Sequence, residues 1–139
     1  MIKILLILLI IFSVPAAHAV PLSDMTGLRF TFPVKTDDRL FTIEATGNFH
    51  INSLDFDKNE KSITLDITSS IENNILEIVI PTSLIGGDFR YYLDDIELFP
   101  ISKQGKNSIF IEIDFIGIGK HEIKFQGTTY LDIFNVSEK

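Results

Sequence analysis

The sequence predicts an all-β fold: a two-layer antiparallel β-sandwich of about eight to nine strands. Three observations predict it. After residue 26, apolar and polar residues alternate with a period of two, and no stretch sustains a helical period. Turn signals built on Gly, Pro, Asn and Asp break this alternation roughly every ten residues. Twelve Phe, many Ile and no Trp supply the material of a β-rich core.

The start, MIKILLILLIIFSVPAAHA, sets the chain's destination. Lys3 is a positive n-region, Ile4 to Phe12 an unbroken apolar run, and Ala17-His18-Ala19 a small-x-small cleavage site. A spanning helix needs roughly 20 apolar residues, so residues 1–19 are expected to be a cleaved signal peptide rather than an anchor. Residues 20–38 form an N-terminal segment with a possible edge strand over Arg29 to Lys35, because Pro33 has no N–H to donate to a ladder. Residues 39–136 are expected to be the sandwich, and 137–139 a short tail.

Leu40 to Thr46 places Phe41, Ile43 and Ala45 on one face. Gly47-Asn48 then reads as a tight hairpin turn. In FHINSLDFD, Phe49 and Ile51 are out of phase with Leu54 and Phe56, which predicts a bulge near Asn52-Ser53. A polar turn, Lys58 to Lys61, precedes the half-buried strand carrying Ile63, Leu65 and Ile67. Ser69-x-x-Glu72 has capping-box spacing, but no helical run follows it, so Ser69 to Asn74 is a loop. Leu76, Ile78 and Ile80 form the next inward face. Pro81 stops that strand, the next residues make about one turn, and Gly86-Gly87 permits positive φ. This punctuation predicts a crossover between the layers, with Leu84 or Ile85 plugging an open end of the core.

Phe89, Tyr91 and Leu93 face inward, Asp94-Asp95 turns the chain, and Ile96 to Ile101 returns as the next strand, with Pro100 marking an edge or a strand end. After the loop Gln104 to Asn107, Ile109, Ile111, Ile113 and Phe115 make a long inward face. Gly117-x-Gly119 reads as a hairpin turn, Ile123 and Phe125 continue the core, and Tyr130 to Val136 is a candidate last strand. The general plan is immunoglobulin-like.

Several of these segments resemble, in order, a repeated β-sandwich module of exported and cell-surface proteins of ammonia-oxidising archaea (Thaumarchaeota). The similar stretches are FTIEATGNFHINSLDFDKNEKSITLDI, LEIVIPTSLIG, FRYYLDDIEL and IFIEIDFIGIGKHEIKFQGTTY, together covering about residues 39 to 130. This chain departs from the pattern at Thr82, where the module has Arg, and at Asp94-Asp95, where it has Asp-Gly. The resemblance implies a sandwich fold and export; it carries no catalytic residue.

Charge and composition narrow the function classes. Without the leader, the 12 basic residues lose Lys3 and become 11 against 19 acidic, a net −8. Nucleic-acid binding needs clustered Lys and Arg, so nucleic acid is excluded as a partner. The acidity also disfavours an anionic membrane surface, and no stable insertion is expected once the signal is removed. With no cysteine, thiolate zinc sites and blue-copper sites are excluded and the fold must rest on packing.

Outside the leader there are two histidines, His50 and His121, each alone on a strand and more consistent with a satisfied strand residue than with a ligand. Asp55-x-Asp57-x-Asn59 begins a calcium-loop spacing, but Glu60 and Asp66 stand where an EF-hand needs Gly and a bidentate Glu. The three residues are a weak metal candidate for extracellular Ca²⁺. Asp94, Asp95 and Glu97 carry the carboxylates of a glycosidase, yet adjacent turn residues point apart. No G-x-S-x-G, G-x-G-x-x-G or Walker sequence occurs, and Gly117-Ile118-Gly119 opens no helix to cradle phosphate. Tyr92 and Phe110 lie on outward faces, where they suit either a ligand or a covering loop. Asn135-Val136-Ser137 is a glycosylation sequon.

The sequence therefore predicts a secreted, cell-surface-associated module with a structural or protein-interaction role, no catalytic residues and no cofactor. Its partner would be an extracellular or envelope protein or glycan. The alternative expectation is an extracellular glycan-binding module assisted by calcium. The 45–57 and 94–107 regions are the candidate contact loops.

Overall fold

The structure, a computed structural model, describes residues 27–131. The leader, the sequon at Asn135 and the tail lie outside the described residues. Within them the chain forms a two-layer antiparallel β-sandwich and no helix. The strands are β1 (Leu28–Lys35), β2 (Leu40–Gly47), β3 (His50–Asp57), β4 (Ser62–Ser69), β5 (Asn73–Pro81), β6 (Ile85–Gly86), β7 (Arg90–Leu93), β8 (Ile96–Leu98), β9 (Ile101–Gln104), β10 (Ser108–Ile116), β11 (Gly119–Gln126) and β12 (Thr129–Tyr130). One sheet has the order β1-β2-β5-β10-β9, the facing sheet β3-β4-β11-β7-β8, and β6 and β12 pair as a small separate ribbon.

Period-two alternation builds the core. Ile43, Ala45, Leu76, Ile78, Ile80, Ile111 and Ile113 from one sheet meet Ile63, Leu65, Ile67, Ile123 and Phe125 from the other, all buried. Each fully buried large aliphatic side chain contributes about 1.5–3 kcal/mol over leaving it in water. Phe49 and Phe115 pack at 5.7 Å and close the core at the end formed by the β2–β3, β4–β5 and β10–β11 connections. This is called the first end below. The second end is closed by Leu84 and Ile85, both fully buried, as the segment after Pro81 predicts. There the Leu84 N–H donates to the Pro81 carbonyl at 3.0 Å, and Gly87 takes a φ of 77°. The chain passes from β5 in one sheet to β7 in the other.

The bulge is present: the β3–β4 register shifts between Ile51 and Ser53. Asp94 and Asp95 both have positive φ, 49° and 67°, as a two-residue hairpin turn with the native twist requires. β1, which includes Pro33, is an edge strand that pairs only with β2.

Three local expectations are corrected. Gly47-Asn48 is not a hairpin turn, because β2 and β3 belong to different sheets. Asn48 instead continues the β5 ladder, its side-chain oxygen accepting from the Ile75 N–H at 3.0 Å and its amide donating to the Asn73 carbonyl at 2.9 Å. Gly117-x-Gly119 is likewise a crossover, joining β10 to β11 across the layers. Ile96 to Ile101 is not one strand either. β8 and β9 run in the same direction at the same side of the sandwich but in opposite sheets, and Phe99-Pro100 is where the edge strand switches layers. These splits and the short ribbon raise the number of strand segments to twelve.

Candidate functional site

The first end is organised by a buried amide. Asn74 is 1% exposed at the start of β5. Its side-chain nitrogen donates to the Gly117 carbonyl at 2.8 Å and lies 3.1 Å and 3.3 Å from the carbonyls of Glu72 and Ile71. Its side-chain oxygen accepts from the Ser69 hydroxyl. The Gly117 N–H returns a bond to the Glu72 carbonyl at 2.9 Å. Loop 69–73 and turn 117–118 are thus locked together, because every polar group of the knot is paired. Ile71, Ile116 and Ile118 flank this lock in sequence and are exposed, Ile116 by 75%. Beside Ile116 is a shallow dish of about 410 Å³ formed with Ile75, Phe115 and Asp114.

A second apolar surface lies on the side, where the edge strand switches sheets. Phe99 is 90% exposed, and Ile96 and Ile101 on either side are also largely exposed. Every residue of β9 is exposed, and among the described residues β9 pairs only with β10. The side therefore offers an aromatic anchor beside unpaired strand edges.

The third feature is a polar groove of about 550 Å³ on the outer face of the second sheet. The bulge aims Ser53 at Asp66, with a hydroxyl–carboxylate bond of 2.9 Å, and Asn52 at Thr68, at 2.9 Å. Next to them His121 Nδ1 lies 2.7 Å from Asp94 Oδ2, while Asp94 Oδ1 accepts the Glu122 N–H at 2.8 Å. Burial by itself would raise the Asp94 pKa, but the bonds from His121 and from the Glu122 backbone outweigh it and hold the carboxyl below its usual range. His121 Nε2 is enclosed and has no partner among the described residues. It lies against Gly117, where an added Cβ would come within 2.9 Å of the ring, and Phe115 meets the ring edge-on at 5.4 Å. With Nδ1 bonded to Asp94 and Nε2 enclosed, the imidazole has no free nitrogen to offer the groove as a general base. It serves as a packed link between the β7–β8 turn and the end of the core.

The other residues singled out by sequence are placed as follows. Asp57 Oδ1 accepts the N–H groups of Asn59, at 2.7 Å, and Glu60, at 3.0 Å, and so caps the β3–β4 turn. Asp55 and Asn59 are exposed beside it. Among the described residues no group of three or more His, Asp or Glu side chains is arranged to hold a metal ion. His50 is exposed with Phe30 edge-on at 6.0 Å. Asp94 is turned to His121, and Asp95 and Glu97 remain exposed. Tyr92 and Phe110 are half-buried on the two outer faces.

Sequence reasoning marked the 94–107 region as a candidate contact loop without singling out Phe99, and it missed the isoleucines of the first end. Phe99 sits next to a proline, a signal that a sheet-switching corner could have been read from. Ile116 is out of phase with the inward face of β10, but nothing local to Ile71, Ile116 or Ile118 says that no further layer covers them. Comparison with protein-family models, curated proteins and solved structures finds no match to this chain.

Proposed function

We propose that the chain is an exported, non-enzymatic β-sandwich module that acts by binding another protein at the cell surface. The observation that carries this reading is the side corner: a projecting Phe99 between Ile96 and Ile101, placed where two strand edges unpaired among the described residues meet. Aromatic anchors of this kind dominate interface energies, and a free edge adds main-chain hydrogen bonds. Export is supported by the leader pattern and by the resemblance to the archaeal surface module. The immunoglobulin-like plan is supported by the β1-β2-β5 run of the first sheet and by its crossovers to the second. The non-enzymatic reading is supported by the enclosure of His121, the one histidine beside the groove carboxylates.

The test is capture from envelope extract by the purified chain and by its Phe99→Ser variant. The expected result is an envelope protein retained by the first and lost by the second. Identical captures would overturn the reading. Glycan binding is the second reading, favoured by the amide, hydroxyl and carboxylate groups that line the polar groove. A glycan array that lights up and is darkened by Ser53→Ala would support it, and chelator would show whether Ca²⁺ takes part.

A further inference from the structure

The outer face of the first sheet carries an arrangement that costs the fold stability. Glu77 on β5 and Glu112 on β10 are directly opposite one another. Like charges in that relation repel across the ladder. One step toward the first end, Asp114 lies opposite Ile75, and one step further Ile116 lies opposite Asn73. Glu72 is exposed in the loop above. None of these four carboxylates takes part in an ion pair among the described residues, whereas Glu44, Glu60 and Asp94 each do. The exposed isoleucines of the first end and the dish beside Ile116 are therefore bordered along β5 and β10 by carboxylates that form no ion pair among the described residues, with Lys103 on β9 the cation diagonal to Glu112.

We infer that the first end, Ile71, Ile116 and Ile118 with the carboxylates of Glu72, Glu77, Glu112 and Asp114, docks a cationic amphipathic segment of another protein, one that interleaves Lys or Arg with large apolar residues. The inference rests on the interaction-module reading and adds a second surface with its own partner chemistry. Charge complementarity selects the occupant. Apolar side chains of the segment fill the dish beside Ile116, and its cations neutralise the Glu77–Glu112 pair, which is relieved only when a counter-charge arrives. An anionic lipid surface would meet four carboxylates, and a second copy would bring the same charges to the contact. The Asn74 knot makes the surface rigid, so little conformational entropy is lost on docking.

The probe is a twelve-residue peptide alternating Lys and Leu, titrated into the purified chain, with affinity and the backbone amide resonances of Ile71, Ile116 and Gly117 as readouts. The Lys–Leu peptide is expected to bind, to shift those resonances and to weaken as salt rises. Ile116→Ser and Glu77→Gln are each expected to weaken it at least about fivefold. Glu77→Gln is also expected to raise Tm, because it removes the like-charge opposition; weaker binding by a more stable protein cannot be misfolding. Any of four results overturns the inference: no binding of the Lys–Leu peptide, equal binding of a Glu–Leu peptide, binding unchanged by both substitutions, or sedimentation with phosphatidylglycerol vesicles. A dimer that Ile116→Ser dissociates would overturn it in favour of a second copy. If the peptide fails while the Phe99-dependent capture succeeds, only this inference falls; the opposite pattern overturns only the Phe99 reading.

Discussion

The side-chain amide of Asn74 reaches across 43 residues of sequence to the carbonyl of Gly117, 2.8 Å away, and ties the β4–β5 loop to the β10–β11 crossover. Two chain segments that lie in different parts of the sequence become one rigid end of the molecule. Asn74→Ala would leave the Gly117 carbonyl without its donor, while the Glu72 carbonyl keeps the Gly117 N–H and the Ser69 hydroxyl keeps its bonds to Ile71. A loss of about 1–3 kcal/mol in urea unfolding is expected, the cost of leaving one buried acceptor unpaired. Amide exchange at Ile71 to Asn73 and at Gly117 should accelerate more than exchange in the core strands.

Gly117 has a φ of 148°, and a Cβ there would come within 2.9 Å of the His121 ring. Gly119 has a φ of 108° but open space around it. Gly117→Ala is therefore expected to destabilise by about 2–4 kcal/mol, adding a clash to backbone strain, and Gly119→Ala by only the strain, about 1–2 kcal/mol. In a His121→Ala background the extra cost of Gly117→Ala should shrink, which a double-mutant cycle measured by thermal unfolding would read.

Asp94 predicts a pH dependence. Its folded-state pKa lies below the ordinary 3.8 because the bonds from His121 and Glu122 outweigh burial. A carboxyl depressed on folding stabilises the protein above its unfolded pKa, and that stabilisation is lost as pH falls through the folded value. The stability difference between the native chain and Asp94→Asn should be present at about pH 5 and should close as pH falls below about 4, through the folded-state value. Tm recorded from pH 2 to 7 checks this; a difference that grew on acidification would contradict the assignment.

Core and surface phenylalanines should separate cleanly. Phe125 is fully buried and Phe99 projects into solvent. Phe125→Ala should cost about 3–5 kcal/mol of stability. Phe99→Ser should leave stability within about 0.5 kcal/mol. Chemical unfolding of the two variants side by side provides the measurement.

The period-two pattern was legible wherever a strand has one face in the core. Phe41, Ile43 and Ala45, or Ile109, Ile111 and Ile113, declare their inward face without reference to any neighbour. The Asn52-Ser53 bulge was legible because a phase slip between Ile51 and Leu54 must be absorbed somewhere. The Pro81–Gly87 crossover was legible because Pro81 ends pairing, Leu84 and Ile85 are too apolar for a surface loop, and Gly87 allows the positive φ that closes the turn. The first-end surface was only half legible: alternation places Ile116 on the face opposite Ile113, but whether another layer covers that face is not a local property.

By itself the amino-acid sequence determined the strands, their buried faces, the sites of turning and the layered all-β class, since alternation, turn chemistry and proline act within a few residues. Only the tertiary structure decided which sheet each strand joins. Gly47-Asn48 and Gly117-Gly119 have the local chemistry of hairpin turns, yet both carry the chain across the core. An inward apolar face is equally well buried from either layer, so local chemistry cannot distinguish a strand that returns beside its neighbour from one that crosses. The Asn74 knot, the His121–Asp94 link and the bare isoleucines at the first end exist only as consequences of that choice.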